Sequence, residues 1–342
     1  MAERGALIDA FVARAGWGGA ARRALAGDAS FRRYERLGDG TRRAVLMDAP
    51  PPEEVGPFLA VARLLRGLGY SAPDLLAAAP EAGLLLLEDF GDQTYTRLLE
   101  GAAPAPDTPD EAALYALAVD LLIDLHRRPA AAFAGAGLPA YDDARLLNEA
   151  LLLVDWYLPA LRGGAPAGAG ERRAFVDLWP PLLAAARRLP ETLVLRDYHV
   201  DNLIWLPGRS GLAACGLLDF QDAVMGPCAY DLISLLEDAR RDIAGGLAAA
   251  LRARYLAAFP DLDPAMFAGA SAILAAQRNC KILGIFTRLW RRDGKPAYLA
   301  HIPRVWRHLE GDLADPALAP LRDWLDRALP PDARRAPEIA DA

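Results

Sequence analysis

The spacing of apolar residues changes several times along the chain before it settles into a helical repeat. Leu7, Ile8, Phe11 and Val12 fall at helical spacing within residues 1–25 and predict an amphipathic helix. Phe31 to Leu37 and Thr41 to Met47 flank Gly38-Asp39-Gly40, and Asp-Gly between two such runs predicts a β-hairpin. Pro50, Pro51 and Pro52 stop the second strand, and helical spacing resumes from Glu53 to Leu68, with both acids expected in its first turn. Leu84 to Leu87 is short and wholly apolar, which suits a buried strand that ends at Glu88-Asp89-Phe90-Gly91.

From Gln93 onward helical spacing dominates, over 93–100, 111–127, 142–160 and 171–189, with Pro- and Gly-rich loops between. Strands around Asp197 and Asp219 interrupt it, and helices are expected again over 231–241, 244–259, 264–290, 297–313 and 316–328. A small β-rich part ahead of a larger helical one predicts an α+β, two-lobed architecture: an N-lobe over residues 1–90 that binds nucleotide, and a C-lobe over 91–342.

Composition narrows the class of protein. A chain of 342 residues, 53% hydrophobic and 24% charged, has material for two folded cores. A net charge of −7 without a basic run argues against a nucleic-acid partner. Cys215, Cys228 and Cys280 share no metal-ligand spacing and read as buried, reduced thiols. The start Met1-Ala2-Glu3-Arg4 has no secretory pattern and no apolar run reaches spanning length, so a cytoplasmic monomer with no membrane partner is expected. Of 38 basic residues, only Lys281 and Lys295 are lysines.

The chemistry concentrates in Val194-Leu195-Arg196-Asp197-Tyr198-His199-Val200-Asp201-Asn202-Leu203 and in Leu217-Leu218-Asp219-Phe220-Gln221-Asp222. Transfer of a phosphoryl group from ATP to a hydroxyl needs a carboxylate beside the attacking oxygen and oxygen ligands for Mg²⁺. Asp197 is the candidate base, and Asn202 and Asp219 are the candidate metal ligands; Mg²⁺ keeps several waters, so one amide and one carboxylate suffice. Asp-x4-Asn alone is commonplace, and so is an acid ending a strand; the pair in this order, on these elements, carries the reading. Gln221 is placed to touch metal, Asp222 to meet substrate or to serve as a turn acid, and His199 to face substrate or to brace the loop. Asp231 is expected to N-cap the following helix.

The same residues resemble the aminoglycoside-phosphotransferase-type small-molecule kinases, a branch of the protein-kinase-like fold. With Gly27-Asp28-Ala29-Ser30-Phe31-Arg32-Arg33-Tyr34, Leu87-Glu88-Asp89-Phe90-Gly91-Asp92, Gln277-Arg278-Asn279-Cys280-Lys281 and Arg292-Asp293-Gly294-Lys295-Pro296, the chain resembles the anomeric N-acetylmuramate/N-acetylglucosamine kinases of cell-wall recycling. The resemblance implies transfer of the ATP γ-phosphate to the C1 hydroxyl of the amino sugar. It also implies an adenine hinge at Glu88, Asp89 and Phe90, a brace on the catalytic loop from Asp231, and a phosphate-covering turn that includes Ser30. Antibiotic phosphotransferase and nucleotide-binding pseudokinase are the rival readings.

Two departures from the family pattern stand out. Leu195 replaces the usual histidine, and Met47 occupies the place of the phosphate-binding lysine. Arg32, Arg33 and Arg43 are therefore the cations available to ATP, with Glu53 and Glu54 available to pair with Arg43. The lactyl carboxylate of N-acetylmuramate requires a donor. Arg278, Lys281 and Arg288 offer one at helical spacing, against the competing reading of a solvated helix face.

Overall fold

A computed structural model describes residues 2–25, 31–101 and 108–339. In chain order the first elements are α1 (Ala2–Arg14), β1 (Ala21–Ala24), β2 (Arg33–Gly38), β3 (Arg43–Asp48), α2 (Gly56–Gly67), β4 (Leu75–Ala79) and β5 (Leu84–Glu88). There follow α3 (Tyr95–Leu99), α4 (Glu111–His126), α5 (Asp143–Ala150), α6 (Leu158–Leu161), α7 (Ala169–Ala186), β6 (Glu191–Val194), β7 (Leu203–Trp205), β8 (Cys215–Leu217) and β9 (Val224–Pro227). The chain closes with α8 (Tyr230–Leu236), α9 (Leu247–Ala257), α10 (Pro264–Asp293), α11 (Ile302–Asp312) and α12 (Ala319–Ala328).

The chain forms two compact units. One comprises Met1–Leu121, Ala131–Gly137 and Asp197–Ala223; the other comprises Leu122–Ala130, Leu138–Arg196 and Val224–Ala342. Residue 90, expected as a lobe boundary, marks the end of the larger sheet, and the segment around Asp197 and Asp219 packs with that sheet's unit.

The first unit is built on a five-stranded antiparallel sheet in the order β1-β2-β3-β5-β4. Because side chains alternate along a strand, Leu37, Ala44, Leu46, Leu84 and Leu86 share one face, and there they bury Ile8, Phe11 and Val12 of α1 together with Trp17. Each leucine so buried contributes on the order of 2 kcal/mol relative to exposure. Tyr34, Arg36, Val45, Met47, Leu85 and Leu87 form the opposite face. The helix expected from Glu53 begins at Gly56 with Pro57 in its first turn, so Glu53 and Glu54 precede it and are not dipole partners of its N-terminus.

In the second unit α10 is the central element. Asp263 caps its N-terminus by accepting from the Met266 amide at 2.8 Å, and Gly294 ends it at φ +65°, a conformation glycine adopts without strain. Arg278 and Lys281, read as possible members of a solvated face, are buried in this helix. A Cβ at Gly284 would lie 2.3 Å from the Leu152 carbonyl, so only glycine lets α10 approach the π-helical turn Leu153–Tyr157 this closely. β6 and β9 pair antiparallel with Val194 opposite Val224.

Asp312 of α11 gives this unit a pH-sensitive feature. It is half-buried, accepts from Asn279 at 2.9 Å, and is pushed up to about 9 by loss of hydration and by the nearby Glu237 charge. The folded chain thus keeps a proton that the unfolded chain releases near the usual carboxylate value, so stability falls as pH rises between the two values, by on the order of 1 kcal/mol per pH unit. Asp312→Asn is expected to flatten the decline of Tm with pH between 5 and 8. Equal Tm slopes in variant and wild type would show that Asp312 is ionised in the fold.

Candidate active site

Asn202 and Asp219 are brought together by the short antiparallel hairpin of β7 and β8, in which Leu203 faces Leu217 and Trp205 faces Cys215. Asn202 immediately precedes the first strand, its carbonyl accepts from the Leu218 amide at 2.9 Å, and Asp219 follows directly. The Asn202 side-chain nitrogen donates to the Asp197 main-chain carbonyl at 2.9 Å and lies 3.5 Å from Asp219 Oδ2. A carbonyl only accepts, so this bond fixes the amide's orientation, with Nδ2 toward the Asp197 carbonyl. Asp197, Asn202 and Asp219 are all half-buried and thus within reach of solvent.

Asp219 has φ +55°, in the left-handed region that aspartate and asparagine tolerate better than most residues. Its Oδ1 accepts from Gln221 Nε2 at 2.7 Å. The next residue, Phe220, stacks on Phe58 of α2 with ring centroids 5.0 Å apart, which anchors the exit of the turn. His199 is buried within the loop; its carbonyl accepts from the Asn202 amide at 2.9 Å and its Nε2 lies 3.3 Å from the Asn202 side-chain nitrogen. Asp201 accepts from Thr96. Asp222 is exposed.

The two residues that lead into Asp197 are held from α8. Asp231 accepts from the amides of Leu195 at 2.6 Å and Arg196 at 2.8 Å, while Ala229 takes the N-cap position expected for Asp231. The acid is therefore a brace on the catalytic loop and not a cap. Arg196 has φ +70°, which costs a non-glycine residue roughly 1–2 kcal/mol.

At the expected hinge, the side chains are committed to packing. Glu88 pairs with Arg209 at 2.5 Å, and Asp89 accepts from Arg36 at 3.0 Å. Phe90 lies between the Arg209 guanidinium, 5.1 Å from its ring centroid, and Gly216 of β8, where a Cβ would come 3.0 Å from the ring. What this segment offers to a ligand is main chain. Arg36 escaped the reading of the sequence. It also binds Asp92 at 2.8 Å and the Gly91 carbonyl at 3.1 Å, and it holds the Asp92 carboxyl below the usual carboxylate range.

Among the arginines near β2 and β3, Arg32 pairs with Glu53 at 3.1 Å, and Glu53 also accepts from the Phe31 amide at 3.2 Å. The pairing considered between Glu53 and Arg43 is not formed; Arg43 and Arg33 are exposed at strand ends. Ser30 and the turn before it lie outside the described residues. In the second unit Arg278 donates to Ser234 at 3.0 Å and to the Glu237 carbonyl at 3.1 Å, and Lys281 lies 3.4 Å from Glu149. Arg288 is half-buried, and burial followed by the neighbouring Arg292 charge lowers its pKa.

The donor set suits a hard divalent cation. The Asn202 side-chain amide lies beside the Asp219 carboxylate, and no group of three or more His, Cys, Asp or Glu side chains able to hold a metal occurs among the described residues. A cation that retains water ligands, as Mg²⁺ does, needs no larger set. No helix among the described residues is long and apolar enough to cross a membrane.

A sheet-bearing unit that supplies an Asp-x4-Asn loop and a strand-borne aspartate defines a kinase of the protein-kinase-like fold. Residues 21–267 match the phosphotransferase enzyme family. The chain is 40% identical to the N-acetylmuramate/N-acetylglucosamine kinase of Caulobacter vibrioides over 97% of its length and 99% of the relative's. It is likewise 40% identical to the protein of that name from Pseudomonas aeruginosa, over 93% and 92% of the two chains. The solved choline/ethanolamine kinase family protein of Mesorhizobium loti shares the fold, with a TM-score of 0.60 at 16% identity over 94% of this chain and 99% of that one. The chain belongs to the phosphotransferase enzyme family, among its N-acetylmuramate/N-acetylglucosamine kinases.

Proposed function

We propose that the protein transfers the γ-phosphoryl group of ATP to the anomeric hydroxyl of N-acetylmuramate and N-acetylglucosamine, giving the sugar 1-phosphate for reuse in the cell wall. The observation that supports the kinase chemistry is the Asn202 side-chain amide, which donates to the Asp197 main-chain carbonyl at 2.9 Å and lies 3.5 Å from Asp219 Oδ2. The choice of sugars rests on the names of the relatives. The proposal requires small-molecule partners only and is satisfied by a cytoplasmic monomer.

In this reading Asp197 orients the C1 hydroxyl and takes its proton late in the reaction, since a hemiacetal hydroxyl is more acidic than an ordinary alcohol. Asn202 Oδ1 and Asp219 would hold Mg²⁺, which supplies neutralisation of the phosphate charge when bound. Arg32, paired with Glu53, is the cation we assign to the phosphates in place of the missing lysine, and the main chain of residues 88–90 is assigned to the adenine. His199, Gln221 and Asp222 are the sugar-side candidates in the same unit. Most of the rate gain comes from alignment and charge stabilisation.

The test is product identification. With ATP and Mg²⁺, each amino sugar is expected to give a product whose ³¹P resonance couples to the anomeric proton. Coupling to another ring proton would refute transfer to C1. Turnover of kanamycin-type compounds but neither sugar would favour an antibiotic phosphotransferase, and binding of ATP without any turnover would favour a pseudokinase.

A further inference from the structure

We propose that Arg196 is a positioning residue for Asp197, and that half-buried Glu149 is the anchor that keeps it so. Arg196 is a non-glycine residue at φ +70° directly before the candidate base, and it is held by three separate handles. Its amide donates to Asp231 at 2.8 Å, its carbonyl accepts from Ser234 at 3.2 Å, and its guanidinium binds Glu149 on α5. The guanidinium also lies over the Tyr141 ring, 5.5 Å from its centroid.

Glu149 is itself fixed. It accepts from the Tyr141 hydroxyl, and its Oε2 lies 3.4 Å from Lys281 and 3.5 Å from Gln277 of α10. Burial opposes its charge, but Lys281 and Arg196 outweigh burial and hold the carboxyl below its ordinary value, so it stays ionised at neutral pH. Lys281, a sugar-side candidate in the sequence, is by this reading a counter-ion within the anchor. A side chain without glycine's freedom is thus kept left-handed by a charge pair, and the peptide that leads into Asp197 takes its direction from it.

The proposal rests on Asp197 acting as the base, and its test has one arm that does not depend on turnover. In the full chain, Glu149→Ala is expected to lower kcat about ten- to thirty-fold while KM for ATP stays within about two-fold. Hydrogen exchange of the Leu195 and Arg196 amides, which Asp231 holds, is expected to rise about five-fold or more. Glycine adopts the left-handed conformation unaided, so Arg196→Gly alone, and Arg196→Gly combined with Glu149→Ala, are expected to keep kcat within about three-fold of wild type and to return exchange toward it. Glu149→Gln, with and without Arg196→Gly, gives the same comparison if the alanine variant fails to fold.

Unchanged kcat and exchange in the Glu149 variants would overturn the proposal. So would Arg196→Gly losing as much activity as Glu149→Ala, since the guanidinium would then act directly. An enzyme inactive toward both sugars would sink the functional reading, and the exchange arm would still decide the anchor.

Discussion

Asp197→Asn is expected to lower kcat for sugar phosphorylation by about 10²–10⁴-fold, the range spanned by loss of a positioned general base. The KM for ATP is expected to stay within a few-fold, because the nucleotide contacts assigned to Arg32 and to the main chain of residues 88–90 are elsewhere. The loop is expected to survive, since the Asn202 side chain is bound to the main-chain carbonyl of residue 197, which the substitution leaves in place. Steady-state kinetics beside a thermal melt separates the two effects. A folded variant within ten-fold of wild type would remove Asp197 from the chemistry.

Asp219→Asn carries the second large effect. Asparagine tolerates φ +55° as well as aspartate does, and it keeps an oxygen for the Gln221 amide, so the substitution removes charge with little change in shape. Loss of a charged metal ligand at a transferring phosphate is expected to cost several kcal/mol of transition-state stabilisation, or about 10²-fold or more in rate. The Mg²⁺ concentration for half-maximal rate is expected to rise. A Mg²⁺ titration that superimposes on wild type would exclude Asp219 as a ligand.

These residues stand out as candidates in the sequence because their chemistry is local: an acid and an amide at fixed spacing, then an acid ending an apolar strand. The β2–β3 hairpin was legible for a similar reason, an Asp-Gly turn between two runs. What escaped has no local signature. β1, Ala21-Arg22-Arg23-Ala24, is an edge strand with all four residues exposed, so it shows no alternation, and its arginines instead blunt an open edge. β9 contains glycine and proline, which argue against a strand until β6 is found beside it.

Charge pairing was the least legible feature. Arg36 finds Asp89 and Asp92, and Arg196 finds Glu149, across separations that no period in the chain encodes. Arg278 and Lys281 read as possible surface charges because charged residues on helices usually face water, whereas here partners on α5 and α8 compensate their burial. The left-handed backbone at Arg196 is hidden for the opposite reason: glycine would have announced it, and arginine does not.

The three cysteines are buried, and loss of hydration pushes the Cys215 thiol up to about 12 and the Cys228 thiol to about 11, with Cys280 raised further still. Thiolate is the form that reacts with maleimides and iodoacetamides. The native chain should therefore be silent to such reagents, and one cysteine engineered onto the exposed end of β3 would give a single attachment point for a fluorophore reporting on nucleotide binding, with no background to remove.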